Sequence, residues 1–276
     1  MSLRTIAFLD SGVGGVPYLV STRTALPNAA YAYYADNLHF PYGERSVEGL
    51  REIVIRAAAR LIELVDPVVI VVACNTASVV ALAELRRRFA IPFVGVVPAI
   101  KPAATLATAG RIGVLATSRT VEDPYLSDLI SRFAPGTEVV LEAAGGLVRL
   151  VEERFGEFSE DEPTDALELP LRRLREAEVE AVVLGCTHFI HVRDVIERML
   201  GSSIRVVDSV DGVVRQTVRV ATERMNGALG PASAPPPPRV FVSSHDRMGA
   251  SYAHLARAHG LRICDEQDGN RPHRPQ

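Results

Sequence analysis

Two cysteines, Cys74 and Cys186, lie in similar short motifs that could do chemistry. Cys74 lies in the segment VVACNTAS and Cys186 in the segment VLGCTHF. A run of β-branched and aliphatic residues comes before each cysteine, at 68–73 and 181–184, and a threonine comes soon after it. Such runs are typical of strands that are buried on both faces of a parallel sheet. The sequence therefore predicts a thiol at the end of two separate buried strands.

A pair of thiols is suited to proton transfer. The ordinary thiol pKa is about 8.5, so small changes in the surroundings decide whether a cysteine is a proton donor or a thiolate base near neutral pH. If two thiols lie on opposite sides of a cleft, one can take a proton from a carbon atom while the other delivers a proton to the opposite face. The two groups need opposite protonation states, because the reverse reaction exchanges their roles. The pair predicts an enzyme that inverts a carbon centre.

Each predicted thiol has a polar residue near it. Asp10 follows the first predicted strand, and His188 lies two residues after Cys186. Either side chain could orient a thiol or adjust its pKa. We therefore add Asp10 and His188 to the two cysteines as candidate catalytic residues, with the proximity of Asp10 to Cys74 inferred from the strand order.

The elements around the two thiols repeat along the chain. Cys186 comes 112 residues after Cys74, the segment IGVLAT comes 106 residues after IAFLDS, and IRVVDS comes 113 residues after IPFVGV. Three similar offsets in the same order indicate an internal duplication. We predict two pseudo-symmetric, flavodoxin-like α/β domains with mainly parallel sheets, and an active site in the cleft between them. Ligands of such sheets bind at the carboxyl ends of the strands, which is where both thiols would lie.

The alternation of strands and helices gives the predicted domain boundaries. The first domain takes residues 1–97 and 208–264, and the second takes 98–207. Residues 226–238, which include four consecutive prolines, predict a linker, and the polar tail at 265–276 is expected to be disordered. Nine strands are expected, over 6–9, 31–35, 68–73, 92–96, 112–116, 137–142, 181–184, 204–207 and 239–243.

Composition excludes several classes of protein. The 276 residues are 47% hydrophobic and 23% charged, which is typical of a globular chain, and the net charge of −3 gives no excess of cations for nucleic acid. No segment approaches the roughly 20 apolar residues of a membrane span. The three cysteines match neither a disulfide framework nor paired zinc-ligand spacing, so we expect free thiols and a cytoplasmic protein.

Four motifs together resemble the glutamate racemase family. They are DSGVGG at 10–15, PYG at 41–43, ACNTAS at 73–78 and LGCTHF at 184–189, and they occur in the order and spacing of that family. The resemblance implies interconversion of L- and D-glutamate without pyridoxal phosphate, metal or any other cofactor, and a D-glutamate product that enters peptidoglycan. It also implies a homodimer.

The resemblance carries site residues onto this sequence. Cys74 and Cys186 correspond to the alternating acid and base. The residues that contact or support the substrate are Asp10, Ser11, Pro41, Tyr42, Gly43, Asn75, Thr76, Thr117, Thr120, Thr187 and His188. Asp36 and Glu152 match auxiliary acidic residues. Two departures from the family pattern concern the shape of the cleft: Ile190 and His191 replace a usual proline, and Val97 stands where an acidic residue often precedes Pro98.

Other interpretations stay open at this point. Within the same enzyme class the chain could be an aspartate or hydantoin racemase, and outside it a non-catalytic flavodoxin-like binding protein. The glycine turn at 10–15 could cradle a phosphate, although no lysine follows as in a P-loop.

Several of the site residues also have a simpler explanation. Cys186 and His188 could bind zinc, although two ligands are too few. They could also act as a cysteine hydrolase, although we expect neighbouring residues on one strand end to meet poorly. Asp36 could be a solvated loop residue and Glu152 part of an exposed helix face. Cys264, which has no motif, is expected to be a small core residue.

Overall fold

The computed structural model describes residues 4–159, 161–225 and 235–266. Within these ranges the chain forms ten strands, all paired in parallel. The strands are β1 Thr5–Asp10, β2 Ala30–Ala35, β3 Pro67–Val72, β4 Phe93–Gly95, β5 Arg111–Ala116, β6 Glu138–Ala143, β7 Ala181–Leu184, β8 Arg205–Val207, β9 Arg239–Val242 and β10 Arg262–Cys264.

Eleven α-helices connect or follow these strands within the described ranges. They are α1 Val16–Ala25, α2 Val47–Val65, α3 Asn75–Arg88, α4 Ile100–Leu106, α5 Ser118–Glu122, α6 Pro124–Phe133, α7 Gly145–Arg154, α8 Asp161–Glu176, α9 Arg193–Leu200, α10 Val210–Arg224 and α11 Ala250–His259. Short 3-10 turns cover Asn37–His39, Tyr42–Glu44, Thr187–Val192 and His245–Arg247. None of the described helices is both long and apolar enough to cross a bilayer.

The strands form two sheets with the same internal order. The first sheet runs β10-β9-β2-β1-β3-β4, and the second runs β6-β5-β7-β8. The order β2-β1-β3-β4 therefore repeats as β6-β5-β7-β8, which confirms the predicted α/β fold with two parallel sheets. The first sheet alone carries the two extra strands, β9 and β10, beyond β2. The thiols follow β3 and β7, which are matching strands of the two sheets.

The central strands β1, β3, β5 and β7 are almost wholly buried on both faces, and they consist mostly of apolar residues at consecutive positions. In β1, Ile6 and Phe8 pack into a core that extends from the first sheet to the second, where it includes Val182 and Leu184 of β7. The opposite face of the first sheet packs on α2 and α3, and that of the second packs on α4 and α6. This core is shared by both sheets and therefore connects the two halves of the chain.

The predicted strands agree with the structure to within one residue at each end, but β10 was not anticipated. Helix α8 begins at Asp161, and Pro170 lies inside it rather than in its first turn. The boundaries at 97/98 and 207/208 fall between strands of different sheets and stay a prediction.

Two of the sequence predictions fall largely outside the described residues. Of the predicted linker, 226–234 lies outside, and so does 267–276 of the predicted tail. Glu266, at the start of that tail, accepts hydrogen bonds from Tyr34 Oη at 2.8 Å and from Arg60 Nε at 3.0 Å.

Candidate active site between the two sheets

Both predicted thiols lie at one cavity of about 280 Å³. Cys74 is the residue before α3 and Cys186 is the residue before the 3-10 turn Thr187–Val192, so each thiol lies just beyond the carboxyl end of its strand. The two residues are only 7% and 8% exposed. The cavity is lined by Ser11, Pro41, Tyr42, Gly43, Glu44, Cys74, Asn75, Thr76, Thr117, Ser118, Arg119, Thr120, Gly145, Gly146, Val148, Arg149, Gly185, Cys186, Thr187 and His188.

The environment of Cys74 favours the neutral thiol. Burial raises the pKa of Cys74 well above its ordinary value, and the nearby Asp10 carboxylate raises it further. Backbone N–H groups of Ala77 and Thr76, in the first turn of α3, hydrogen-bond the sulfur and partly offset this effect. Cys74 is therefore suited to donate a proton at rest.

Cys186 has an imidazole beside it. Its Sγ lies 3.9 Å from Nδ1 of His188, and Nε2 of His188 lies 2.9 Å from Oε2 of Glu152. Burial alone would lower the pKa of His188, but its hydrogen bonds to Cys186 and Glu152 outweigh this effect and raise the pKa to about 10. The ring is then an imidazolium at neutral pH, and it can donate to the sulfur and to the carboxylate at once. Our expectation that these neighbours would meet poorly was wrong.

Glu152 is buried, at 4% exposure, so the alternative of a solvated helix face is wrong. Besides His188, its carboxylate accepts from the backbone N–H of Val13 at 2.8 Å and from Tyr252 Oη at 2.6 Å. Three donors from separate parts of the chain therefore stabilise one buried carboxylate, as a buried charge requires. Tyr252, which no sequence signal indicated, lies on α11, the helix between strands β9 and β10 of the first sheet.

Asp10 lies beneath the cavity rather than on its wall. It is fully buried, and its Oδ1 accepts from the backbone N–H of Ser11 at 2.5 Å, while its Oδ2 accepts from Thr187 Oγ1 at 3.3 Å. Burial raises its pKa to about 7, with the His188 charge opposing this shift. Ser11 and Thr187 do line the cavity. Asp10 therefore contacts the cavity wall through these two residues.

Asp36 is also buried, at 2% exposure, which excludes the solvated-loop alternative. Its Oδ2 accepts from Tyr42 Oη at 2.8 Å and interacts with His39 Nδ1 at 2.9 Å. Tyr42 lies on the cavity wall with Pro41 and Gly43. Asp36 thus orients a wall residue without lining the cavity.

Two hydroxyls of the second half complete the wall. The side chain of Thr117 caps α5 by accepting from the backbone N–H of Thr120 at 3.3 Å, and the two hydroxyl oxygens are 3.0 Å apart. Both line the cavity. Apart from Asp10, Asp36 and Glu152, every predicted site residue lies on its wall, so the structure brings the motifs of both halves together.

The glycine turn serves close packing rather than a phosphate. A Cβ at Gly12 would overlap the Glu152 carboxylate, and one at Gly14 would overlap the side chains of Thr187 and His188. Two N–H groups of the turn are already bound, that of Val13 by Glu152 and that of Gly15 by the Tyr33 hydroxyl at 3.0 Å. These two N–H groups are therefore not available to bind a phosphate, which argues against the phosphate-binding alternative.

No cluster of three or more potential metal ligands exists among the described residues. All three cysteines are unbridged and buried, and Cys264 lies at the end of β10, away from the cavity wall. What sequence reasoning missed are the charged residues at the cavity, namely Glu44, Arg119 and Arg149.

Comparisons with known proteins extend over most of the chain. The family model described as Asp/Glu/Hydantoin racemase matches residues 20–217, which include both thiols. The chain is 41% identical over 217 residues to a glutamate racemase of Treponema pallidum, covering 78% of this chain and 80% of that protein. It is 40% identical over 253 residues to one of Sphingopyxis alaskensis, covering 91% and 93%.

Solved structures are similar over nearly the full chain. Escherichia coli glutamate racemase, in complex with L-glutamate and the activator UDP-MurNAc-ala, has a TM-score of 0.82 and 34% identity, covering 96% of this chain and 98% of that one. Glutamate racemase of Thermus thermophilus, in complex with beta-chloro-D-alanine, has a TM-score of 0.71 and 30% identity, with 95% of each chain covered.

Proposed function

The chain belongs to the Asp/Glu/hydantoin racemase family, and we propose that it interconverts L- and D-glutamate with Cys74 and Cys186 as the two bases. The observation that carries this proposal is the pair of buried thiols at one small cavity, each from the matching strand end of a different sheet. The relatives named glutamate racemase support glutamate as the substrate.

The reaction moves one proton in and one proton out. With one enantiomer, the thiolate of one cysteine takes the α-hydrogen as a proton, and the electron pair stays on the α-carbon and its carboxylate. The thiol of the other cysteine then donates its proton to the opposite face. The product is the mirror image, and the two cysteines have exchanged protonation states. The opposite enantiomer uses the same two groups in the reverse order.

The surrounding residues make this exchange possible. On one side, the imidazolium of His188 lies beside Cys186, and Glu152 balances its charge. On the other, the α3 N-terminus directs backbone N–H groups at Cys74. Burial of the two thiols excludes water that would compete for the protons. The cavity wall also supplies neutral hydrogen-bonding groups, which belong to Ser11, Asn75, Thr76, Thr117, Thr120 and Thr187.

Proton NMR of L-glutamate in D₂O, combined with circular dichroism of the same sample, tests the proposal. We expect loss of the α-hydrogen signal together with decay of the dichroism to zero, without added cofactor. A folded, reduced protein that produces neither change would contradict it. Parallel assays with L-aspartate and a hydantoin distinguish glutamate racemase from the other activities of the family, because only the preferred substrate is inverted at a high rate.

A second candidate activity follows from the Cys186–His188–Glu152 chain of contacts. Thiol, imidazole and carboxylate in series are also the parts of a cysteine hydrolase. This alternative gives no role to Cys74. Hydrolysis of an amide or ester that survives Cys74→Ala would support it, whereas racemisation that needs both thiols excludes it as the main activity.

The setting in the cell is also part of the proposal. We propose a cytoplasmic homodimer that supplies D-glutamate for peptidoglycan. Free thiols, which the mechanism needs, persist in a reducing compartment. The dimer rests on the family resemblance alone, and light scattering of the purified protein tests it. A monomeric mass at assay concentration would contradict it.

A further inference from the structure

Two buried polar atoms in the described residues have no hydrogen-bond partner, and both belong to residues of the cavity wall. They are Oδ1 of Asn75, an acceptor, and Nε of Arg119, a donor. Buried polar groups are nearly always paired, so an unpaired one needs an explanation. An acceptor and a donor unpaired at the same cavity indicate a ligand that carries both a hydrogen-bond donor and a hydrogen-bond acceptor.

The charges on the wall indicate where the anion binds. Besides the thiols, the charged side chains there are Glu44, Arg119, Arg149 and His188. Arg149 pairs with Glu44 at 2.7 Å, and His188 pairs with the buried Glu152 at 2.9 Å. Arg119 forms no ion pair with any described residue. Among the described residues, Arg119 is therefore the wall arginine whose charge no carboxylate neutralises.

Arg119 lies next to the PYG segment on the cavity wall. It is on α5, which follows β5 of the second sheet, whereas Gly43 belongs to the first half of the chain. A Cβ built at Gly43 would lie 3.9 Å from the Cβ of Arg119. This part of the wall is formed by both halves, and it is separate in sequence from both thiol motifs.

We propose that Arg119 binds the side-chain carboxylate of the substrate and thereby selects acidic amino acids. This inference rests on the proposed function, because it assigns a group of that substrate. An acidic amino acid has a side-chain carboxylate in addition to its α-carboxylate and ammonium, and this second carboxylate is a suitable partner for the Arg119 guanidinium. Its ammonium is the donor that Asn75 Oδ1 lacks. A guanidinium can bind a carboxylate through two parallel hydrogen bonds, which a neutral side chain cannot reproduce.

The test compares glutamate with glutamine, which differs only by an amide in place of the side-chain carboxylate. Wild type, Arg119→Gln and Arg119→Lys are assayed for α-hydrogen exchange, and glutamine is also measured as a competitive inhibitor of glutamate racemisation. For Arg119→Gln we expect the KM for glutamate to rise about 10- to 100-fold, because a charge-assisted contact is lost. The inhibition constant of glutamine should stay within a few-fold. Arg119→Lys should be intermediate, since an ammonium keeps the charge but not the paired geometry.

Arg149→Gln is the matched comparison. It removes a cation from the same wall, but one that Glu44 already neutralises, so we expect the KM for glutamate to change by less than about fivefold. Circular dichroism verifies that each variant is folded.

Two results would overturn the inference. One is an equal loss of affinity for glutamate and glutamine in Arg119→Gln, since this would mean a structural role. The other is an unchanged KM for glutamate. A wild-type protein that does not exchange the α-hydrogen of glutamate would instead refute the proposed function, so the two failures are distinguishable.

Discussion

Cys74 and Cys186 occupy matching positions in two sheets of the same strand order, yet their surroundings differ in charge. Cys74 lies at the N-terminus of a helix with the Asp10 carboxyl nearby, whereas Cys186 lies beside an imidazolium that is paired with Glu152. The repeated strand order brings two thiols to one cavity. Burial and the Asp10 carboxylate favour the neutral thiol at Cys74, and a two-base reaction needs one neutral thiol in its resting state.

The first half also supports the second. Helix α11 lies between β9 and β10, the two strands that only the first sheet possesses, but it packs on α7 of the second half. Its Tyr252 donates to Glu152, and its Ser251 Oγ donates to the carbonyl of Val151 at 2.8 Å. The additional segment of the first sheet, which contains α11, thus stabilises the His188–Glu152 pair beside Cys186.

Removing one thiol at a time is the strongest way to test this comparison. In Cys74→Ala and in Cys186→Ala we expect racemisation to fall about 10²- to 10⁴-fold, because each variant lacks one of the two proton-transfer groups. Any residual exchange of the α-hydrogen in D₂O should affect opposite enantiomers in the two variants, since each keeps a base on one face only. NMR of separate L- and D-glutamate samples measures both effects.

Cys264→Ala is the control, because this buried cysteine lies outside the cavity wall and should leave racemisation unchanged. Residual exchange of the same enantiomer in both single-thiol variants would mean that the thiols do not act on opposite faces.

A smaller effect should appear in the chemical reactivity of Cys74. The Asp10 carboxylate raises the Cys74 pKa, so Asp10→Asn should lower that pKa and speed alkylation of Cys74 by iodoacetamide, by up to about tenfold at pH 8. Because the Asp10 pKa is about 7, its carboxyl is largely protonated at pH 6, and the two proteins should react there at similar rates. Mass spectrometry of the alkylated peptides gives both rates.

Cys264, away from the cavity wall, is the internal reference in this experiment. Asparagine keeps an oxygen that can accept from the Ser11 N–H, so the turn should stay in place. An equal acceleration at pH 6 and pH 8 would indicate a change of access to the thiol instead of a change of charge.

The structural features that could be predicted from the sequence are those that depend on residues close together in the chain. Continuous apolar runs specify strands that are buried on both faces, and the residues after those runs must then lie at the carboxyl edge of a sheet. This is why Cys74 and Cys186 could be placed at one site. The three-residue strand Arg262–Cys264 could not be recognised, because a run this short does not show a periodic pattern.

Contacts between distant segments were beyond sequence reasoning. Glu152 stands next to Glu153 and Arg154, which suggests solvent, and its burial depends on Tyr252 and Val13, each about a hundred residues or more away in the sequence. Arg119 had no motif of its own, and only the meeting of the two halves brings it to the cavity wall.

The smallest expected effect concerns His191, at the place where this chain departs from the family pattern. It is partly buried and packs against the Phe155 ring, and its Nε2 lies 3.1 Å from the carbonyl oxygen of Val13, to which a neutral ring donates. Burial lowers its pKa to about 3, with the His188 charge adding to the effect. Between pH 6.5 and 3 the unfolded state therefore binds a proton that the folded state does not, so stability is lost as the pH falls.

His191→Gln keeps an N–H donor for Val13 but does not titrate. Between pH 7 and pH 4.5 we expect the variant to lose less unfolding free energy than wild type, by on the order of 2 kcal/mol, as measured by urea unfolding at both pH values. Other acid-titrating groups, including Asp10, are the same in the two proteins, so the difference isolates residue 191. Equal losses of unfolding free energy in the two proteins would mean that His191 is already protonated in the folded state at pH 4.5. His188 and His191 would then both be imidazolium ions in the folded protein.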